Sequence, residues 1–315
     1  MTDPAALRIV FMGTPDFAVP SLRALVREGY SVVGVVTATD KRGGRGGKQL
    51  LESPVKRTAG ELGIPVLQPS NLKADTFVKE LRALRADLQI VVAFRMLPEV
   101  VWSMPRLGTF NLHGSLLPKY RGAAPINWAI INGETETGAT TFRIQQAIDT
   151  GDVLLQHRML VGENETAGDV HDRMMGEGAD LVLATVRLIQ SADYTLKQQN
   201  DTAATPAPKL SRENCRIDWD RPVPEVHNFI RGLSPWPAAW TTLEGEQLKI
   251  IRTRAEPAQH LLPAGWVKTE GPEDLRVACL GGYVRILELQ LAGRKRMETA
   301  DFLRGTSLPP KSRVI

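Results

Sequence analysis

Three residues in the first half of the chain carry side chains suited to general acid–base chemistry. Residues 108–113 predict a short buried strand that ends at Gly114. Because side chains two positions apart on a strand share a face, Asn111 and His113 are expected to project together. An asparagine amide can donate a hydrogen bond to a developing oxyanion, a histidine can move a proton near neutral pH, and Asp149 adds a carboxylate able to orient that histidine. These residues predict proton-transfer chemistry that uses neither a metal nor a covalent enzyme intermediate.

The same three residues also fit a purely structural interpretation. Asn111 would then cap a turn, His113 would be a strand-end histidine with satisfied hydrogen bonds, and Asp149 would begin an Asx turn. Residue types and spacing alone leave both interpretations open.

The elements around these residues alternate between strands and helices. Strands are predicted at 7–12, 32–36, 88–93, 108–113, 140–144 and 153–159, and helices at 16–27, 54–62, 74–84, 124–131 and 167–190. Strands separated by helical segments predict an α/β fold with a doubly wound, mostly parallel, Rossmann-like sheet. In such a sheet the ligand crevice lies beyond the carboxyl ends of the strands, which is where the Asn111 strand would end.

A second domain is predicted after a polar segment at 191–208 that is rich in Pro, Ala and Thr and reads as a linker. The first domain then spans 1–190 and the second 209–315. The second has a predicted helix near 223–232 and short strands near 240–243, 248–254, 265–269, 275–278 and 283–290. Many short strands with glycine turns predict a small β-barrel. Four tryptophans are assigned to its core rather than to base-stacking platforms: Trp219, Trp236, Trp240 and Trp266.

Three other catalytic motifs are excluded. Gly13 follows a strand, but the segment Gly-Thr-Pro-Asp-Phe-Ala keeps only one glycine of a dinucleotide fingerprint. The glycine-rich segment 43–48 fails as a Walker loop, because Arg42 stands where the first glycine belongs and Gln49 where Ser or Thr belongs. No Gly-x-Ser-x-Gly elbow surrounds Ser115, which excludes a serine hydrolase.

A basic, glycine-rich segment at 40–48 is the second functional signal. Its backbone is too permissive to hold one conformation alone, and its four basic side chains are Lys41, Arg42, Arg45 and Lys48. Arginine binds phosphate bidentately and stacks on bases, so the segment fits the end of a nucleic acid. A solvated surface loop is the alternative that composition alone leaves open.

Bulk properties are those expected of a globular intracellular enzyme. A length of 315 residues allows two domains, and 43% hydrophobic and 23% charged residues are ordinary values. Two cysteines make neither a disulfide framework nor a metal-ligand pair. The sequence shows no signal segment and no apolar run long enough to span a membrane, so we expect a cytoplasmic protein, with a monomer as the default. A net charge of +4 permits a nucleic-acid partner without requiring one.

The stretch Asn-Leu-His-Gly-Ser-Leu-Leu-Pro-Lys-Tyr-Arg-Gly at 111–122, followed by Asp-Thr-Gly-Asp at 149–152, resembles the folate-dependent formyltransferases. The resemblance runs from residue 7 to at least residue 189. It implies that the formyl donor is 10-formyltetrahydrofolate and that the catalytic residues are Asn111, His113 and Asp149. It implies a C-terminal OB-like barrel. It also implies contacts with the folate from Phe94, Ser115, Leu116, Leu117 and Pro118.

Within that family the chain most resembles the methionyl-tRNA formyltransferases. These enzymes carry a basic insertion after the second strand that enters the tRNA acceptor arm, and Arg45 lies in the matching Gly-Arg-Gly. The resemblance therefore implies formyl transfer to the α-amino group of methionyl initiator tRNA, for translation initiation. The basic segment would be the tRNA contact.

Two segments depart from that branch and define the alternatives. Residues 94–97 read Phe-Arg-Met-Leu where methionyl-tRNA formyltransferases commonly have Tyr-Gly and a longer apolar stretch, and 127–138 is similar to the UDP-amino-sugar N-formyltransferases. A sugar-nucleotide formyltransferase with the same catalytic residues is the alternative. The basic segment at 40–48 and the Gly-Ala-Ala-Pro after Arg121 favour tRNA. A folate- or tRNA-binding module without catalysis is a third, weaker hypothesis.

Overall fold

The computed structural model describes residues 6–43, 49–309 and 311–315, which divide into two compact units. The first unit is drawn from 1–122, 138–159 and 171–206, and the second from 123–137, 160–170 and 207–315. The units interleave along the chain, whereas the sequence predicts consecutive domains. The predicted domain boundaries stay a prediction.

Strands and helices alternate through the first part of the chain, and strands dominate the last part. The strands in the described ranges are β1 (Arg8–Gly13), β2 (Ser31–Val36), β3 (Lys41–Gly43), β4 (Gln49–Leu51), β5 (Val66–Leu67), β6 (Leu88–Val92), β7 (Thr109–His113), β8 (Arg121–Gly122), β9 (Glu136–Arg143), β10 (Val153–Leu160), β11 (Pro206–Ala207), β12 (Ala239–Leu243), β13 (Glu246–Pro257), β14 (Val267–Lys268), β15 (Arg276–Cys279), β16 (Gly282–Leu291) and β17 (Met297–Glu298). The α-helices there are α1 (Val19–Arg27), α2 (Pro54–Glu61), α3 (Asp75–Ala83), α4 (Glu99–Trp102), α5 (Pro125–Ile131), α6 (Ala167–Ser191), α7 (Val223–Leu233) and α8 (Thr299–Gly305). Across the described ranges, no helix combines the length and apolarity that crossing a membrane requires.

A seven-stranded sheet forms the first unit, in the order β5–β2–β1–β6–β7–β9–β10. The pairs β1–β2, β1–β6, β2–β5 and β6–β7 are parallel, and β7–β9 is antiparallel. The Rossmann-like sheet is thus confirmed in its coarse form, and it is mixed because β9 runs against β7. The order of strands reverses between β1 and β6, and in open α/β sheets ligands bind beyond the carboxyl ends of the strands at such a point.

Helices cover both faces of this sheet. Met12 of β1 packs in one apolar cluster with Phe77 of α3 and Val101 of α4. Phe11 precedes Met12 on the strand and therefore points to the opposite face, where it is also completely buried. Burial on both faces explains why the strand reads as a continuous apolar run in the sequence.

Local chemistry sets the ends of α2, the helix that follows the β3–β4 hairpin. Ser53 accepts a hydrogen bond from the backbone N–H of Lys56 at 3.0 Å, and Pro54 occupies the first helical turn. Gly63 follows the helix with a φ of +67°, the left-handed conformation that commonly ends helices at glycine.

The second unit carries a six-stranded sheet in the order β12–β13–β16–β15–β14, with β17 paired to β16. The amphipathic helix α7 packs Val226 and Ile230 into the same apolar cluster as Leu248 and Val284 of the sheet. The order has two ends, β12 and β14, and no closed barrel is found among the described strands. Single bridges join Leu243 to Val314 and Trp266 to Arg313, so C-terminal residues pair at both ends of the sheet.

The tryptophans of this unit differ in burial. Trp219 is buried, and Trp240 packs against the apolar cluster while partly exposed. The core assignment is wrong for Trp236, which is 78% exposed. It lies in the turn between α7 and β12, where no strand or helix period directs the side chain inward.

Candidate active site

Asn111 and His113 lie at the carboxyl end of β7, near the middle of the sheet. Their neighbours across the sheet are Val91 and Phe142 for Asn111, and Thr140 for His113. Two positions apart on one strand, the two side chains project from the same face. His113 is 6% exposed, and Asn111 is half-buried.

The contacts of His113 fix the role of each ring nitrogen. Nε2 lies 2.9 Å from the backbone oxygen of Tyr120. A carbonyl oxygen only accepts, so Nε2 carries the hydrogen of that bond. Nδ1 faces the Oδ2 atom of Asp149 at 3.7 Å. The ring edge meets Phe142 at 6.5 Å between centroids, a T-shaped contact that holds the imidazole plane. Nδ1 is consequently the ring nitrogen that faces the carboxylate.

Asp149 is held by its backbone conformation and by one strong hydrogen bond. Its φ is +54°, a left-handed value that non-glycine residues adopt infrequently and that is enriched at functional sites. Its Oδ2 atom accepts the backbone N–H of Gly122 at 2.9 Å. The side chain is 14% exposed, so the ionised carboxylate has little water to screen it from His113.

The Asn111 amide differs from the His113 and Asp149 side chains, because no group among the described residues makes a hydrogen bond to it. A half-buried amide usually finds a partner in the protein or in water. Both amide donors of Asn111 are therefore available to a bound molecule at the end of β7.

The 115–118 loop follows β7 directly and is tied down at several points. Thr140 Oγ1 donates to the Ser115 carbonyl at 2.6 Å and accepts the Leu117 N–H at 3.1 Å. Gln156 donates to the Leu117 carbonyl at 2.8 Å. Leu117 is buried, while Leu116 and Pro118 are half-buried. The loop thus presents two half-buried apolar side chains on a backbone whose polar groups are largely satisfied.

Phe94 lies beyond the end of β6, the strand next to β7. Its side chain packs partly against the apolar cluster under α3 and α4, and the Arg95 guanidinium stands 5.7 Å from its ring centroid. Arg95 also donates to the Ser70 carbonyl at 3.0 Å. Phe94 is thereby fixed at the carboxyl edge of the sheet, and its contact with a folate stays a prediction.

Residues 41–43 of the basic segment form β3, which pairs with β4 in the antiparallel β3–β4 hairpin, Lys41 with Leu51 and Arg42 with Leu50. Lys41 and Arg42 are exposed. Arg45 and Lys48, the other two predicted tRNA contacts, lie outside the described residues.

An ion pair anchors the base of this hairpin. Lys56 of α2 contacts Asp40 at 2.5 Å, and Gln68 donates to the other oxygen of that carboxylate at 2.8 Å. Hydrogen bonds from Lys56 and then Gln68 hold the pKa of Asp40 below its usual range, and the same ion pair raises the pKa of Lys56. Asp40, the residue before β3, is therefore held in place at the start of the β3–β4 hairpin.

Two residues beside the site are given no role by the sequence alone. Gln199 and Arg121 hydrogen-bond to each other, and Gln199 also contacts the backbone of Asp149. Arg121 lies in the Tyr-Arg-Gly that ends the 111–122 motif, which is the one available pointer to it. Gln199 lies in the segment interpreted as a linker, where no periodicity marks it. No group of three or more His, Cys, Asp or Glu side chains suited to a metal occurs in the ranges that the structure describes.

Comparison with known proteins gives a consistent family. Residues 7–186 match the family described as formyl transferase, and residues 209–307 match the formyl transferase C-terminal domain. The chain is 54% identical over 309 residues to a methionyl-tRNA formyltransferase of Parabacteroides distasonis, covering 95% of each chain. It is 55% identical over 311 residues to that of Bacteroides thetaiotaomicron, covering 96% of each. Among solved structures, an N-formyltransferase from Helicobacter canadensis in complex with folinic acid and dTDP-3-aminofucose has a similar fold, with a TM-score of 0.66, 20% identity, and coverage of 89% of this chain and 98% of that one.

Proposed function

The chain belongs to the formyl transferase family, and from that premise we propose that it transfers a formyl group from 10-formyltetrahydrofolate to the α-amino group of methionyl initiator tRNA. Near-full-length identity above 50% to methionyl-tRNA formyltransferases supports this acceptor. The observation that carries the chemistry is the juxtaposition of His113 Nδ1 and Asp149 Oδ2, at 3.7 Å. His113 lies on the same strand as Asn111, whose amide has no hydrogen-bond partner among the described residues.

The donor site is proposed at the carboxyl edge of the sheet, between the 115–118 loop and Phe94. Ser115, Leu116, Leu117 and Pro118 would hold the folate from one side. Leu116 and Pro118 are half-buried, and the backbone polar groups of the loop are largely satisfied. Such a surface suits the ring of a folate, whose faces are apolar and whose edge is polar. When bound, the folate supplies the formyl carbon and its oxygen.

Asn111 would stabilise charge on the formyl oxygen. Attack by a neutral amine puts negative charge on that oxygen, and an amide donor placed beside it in advance would need no reorganisation. A free α-amino group has a pKa of about 7.7–8.0, so a substantial neutral fraction is present near neutral pH. Activation of the amine therefore demands little of the protein.

His113 and Asp149 would handle the proton. In the proposed reaction the protonated His113 ring would stabilise the charge on the formyl oxygen, and the Asp149 carboxylate would keep that ring charged and oriented. As the bond between the formyl carbon and the folate nitrogen breaks, that nitrogen must gain a proton and the attacking amine must lose one. The His113–Asp149 pair would relay this proton, and the step as proposed uses no metal.

The tRNA would be held by the basic hairpin and the second unit. Lys41, Arg42, Arg45 and Lys48 would bind phosphates of the acceptor end. We further propose that the 209–315 domain is an OB-like barrel, joined through 191–208 to a catalytic domain at 1–190. Bridges from residues 313 and 314 to both ends of the β12–β14 sheet support closure of this barrel. We propose a monomer acting in the cytoplasm.

The test is a paired acceptor assay. Purified protein is given 10-formyltetrahydrofolate with either methionyl initiator tRNA or UDP-4-amino-arabinose. Formylation of the aminoacyl-tRNA, reduced on Arg45→Ala but not on substitution of a distant surface arginine such as Arg187→Ala, is the expected result. Formylation of the sugar nucleotide alone would contradict the proposal and would make the 94–97 departure the better guide to the substrate.

A further inference from the structure

The Gln199 side chain joins two parts of the site through its amide group. Its Nε2 donates to the backbone carbonyl oxygens of Asp149 at 2.9 Å and Gly151 at 2.7 Å. Its Oε1 accepts two hydrogen bonds from Arg121, at 3.1 Å from Nε and 2.8 Å from Nη2. Gln199 is 9% exposed, so little water competes for these contacts. Both ends of the amide are therefore engaged.

The orientation of this amide is unambiguous. Backbone carbonyl oxygens only accept hydrogen bonds, and a guanidinium group only donates them. A flipped amide would place its oxygen against two carbonyls and its donors against Arg121. Each atom of the Gln199 amide is thus specified by what it faces.

The short segment 120–122 connects this amide to both predicted proton-transfer residues. The Tyr120 carbonyl binds Nε2 of His113, and the Gly122 N–H binds Oδ2 of Asp149. Arg121, between them, binds Gln199, which in turn holds the backbone of Asp149. Backbone groups of residues 120–122 therefore hold both the His113 imidazole and the Asp149 carboxylate.

We propose that Gln199, oriented by Arg121, is a positioning residue for formyl transfer. The left-handed φ of Asp149 is a conformation that surrounding contacts must maintain. The two carbonyl contacts from Gln199 supply that restraint on the main chain, while Gly122 supplies it on the side chain. Without Gln199 the Asp149 carboxylate loses its fixed place beside His113. This role rests on the proposed function, because it concerns the same reaction.

The sharpest variant is Gln199→Glu, which preserves size and the acceptor facing Arg121. It replaces Nε2, which donates to the carbonyl oxygens of Asp149 and Gly151, with a carboxylate oxygen that can only accept. We expect kcat for formylation to fall by about 10- to 100-fold, since a small displacement of a catalytic group costs rate on that order. KM for both substrates should stay within roughly twofold, because the interaction lost acts only on the chemical step. A residue with a merely structural role would not separate kcat from KM in this way.

A second readout is independent of the reaction. The Gly122 N–H is hydrogen-bonded to Asp149, so its exchange with solvent, followed by NMR, reports where that carboxylate is. Exchange should be about tenfold faster in Gln199→Glu than in the wild type, as expected for a local opening. Gln199→Met, of similar length and without donors, serves if the charged variant unfolds. Melting temperatures establish that the compared proteins are folded.

Asp201→Asn is the matched control. Asp201 also contacts Arg121, at 2.7 Å, but its side chain is 79% exposed. An exposed ion pair contributes little, so both kcat and Gly122 exchange should match the wild type. Unchanged Gly122 exchange and unchanged kcat in folded Gln199 variants would overturn the inference. A wild type that cannot formylate methionyl-tRNA would contradict the proposed function instead, and the exchange measurement would still decide whether Gln199 holds Asp149.

Discussion

The backbone oxygen of Tyr120 accepts a hydrogen bond from Nε2 of His113 at 2.9 Å. The hydrogen on Nε2 is therefore used in a bond within the protein, and Nδ1 faces Asp149. The Asp149 carboxylate beside Nδ1 and the Tyr120 carbonyl oxygen bound to Nε2 keep the imidazole in a single orientation. General acid–base catalysis needs this kind of constraint, because a proton is transferred only within hydrogen-bonding reach.

Replacement of His113 should affect the chemical step. His113→Asn is expected to lower kcat by about 100- to 10,000-fold, the usual contribution of a general acid or base, with little change in KM for tRNA. Steady-state formylation assays measure both constants. The control is His157→Asn, since His157 lies in the same unit but is half-exposed and pairs with Glu177 at 2.5 Å. Equal losses in the two variants would argue that histidine removal damages the fold rather than the reaction.

Gly151 is required by close packing of the loop that bears Asp149. A Cβ atom at this position would lie 1.7 Å from the carbonyl oxygen of Arg143. Gly151→Ala should therefore displace the loop, destabilising the protein by about 1–3 kcal/mol and lowering kcat. Thermal denaturation and formylation assays check the two effects.

Gly176→Ala is the control for that substitution. Gly176 lies inside α6, and nothing stands within 4 Å of the point that an alanine methyl group would occupy. Alanine there should stabilise the helix by about 0.5–1 kcal/mol and leave kcat unchanged. Equal stability of the Gly151→Ala protein and the wild type would contradict the packing argument.

His227 gives the second unit a predicted pH dependence. Burial, followed by the nearby charge of Arg231, lowers the pKa of His227 below its ordinary value. As the pH falls through about 6.5, the unfolded chain binds a proton that the folded chain does not, so stability present above that pH is lost below it. His227→Gln should remove this slope. Urea denaturation from pH 7.5 to 5 measures it, and parallel slopes for the two proteins would refute the prediction.

The two cysteines should be inert in the folded protein. Both are buried, and burial raises the pKa of the Cys279 thiol to about 12 and that of the Cys215 thiol above its usual range. At pH 8 only about one Cys279 thiol in 10,000 would be the reactive thiolate. We expect a disulfide reagent to modify the thiols only after denaturation, with two equivalents per chain. Rapid modification of the native protein would show that one of them reaches solvent.

The parts of the site that local sequence rules govern were predictable. The period of two along a strand places Asn111 beside His113, and β7 ends at His113 as expected. The parallel order of the first strands follows from their alternation with helices. The β9–β7 pair was not predictable in this way, because nothing local to 136–143 specifies its direction.

The parts that depend on distant backbone contacts were not predictable. Gln199 acts on the carbonyl groups of Asp149 and Gly151, and carbonyl groups are present at every residue, so no side-chain pattern marks such a contact. The segment around Gln199 lacks apolar periodicity, and for that reason its sequence resembles a linker. Closure of a barrel likewise depends on where the chain's last residues pair, which hydrophobic alternation within each strand does not encode.

Asn111 is the residue proposed to stabilise the charge that develops during formyl transfer, and the chemistry depends on it most. The measurement that tests this role most directly is the single-turnover rate of formylation of methionyl initiator tRNA by wild-type protein and by Asn111→Ala. We expect a loss of about 100- to 1000-fold in the rate of the chemical step, as for removal of one oxyanion donor elsewhere, with folate binding retained. A rate within a few-fold of the wild type would contradict this role.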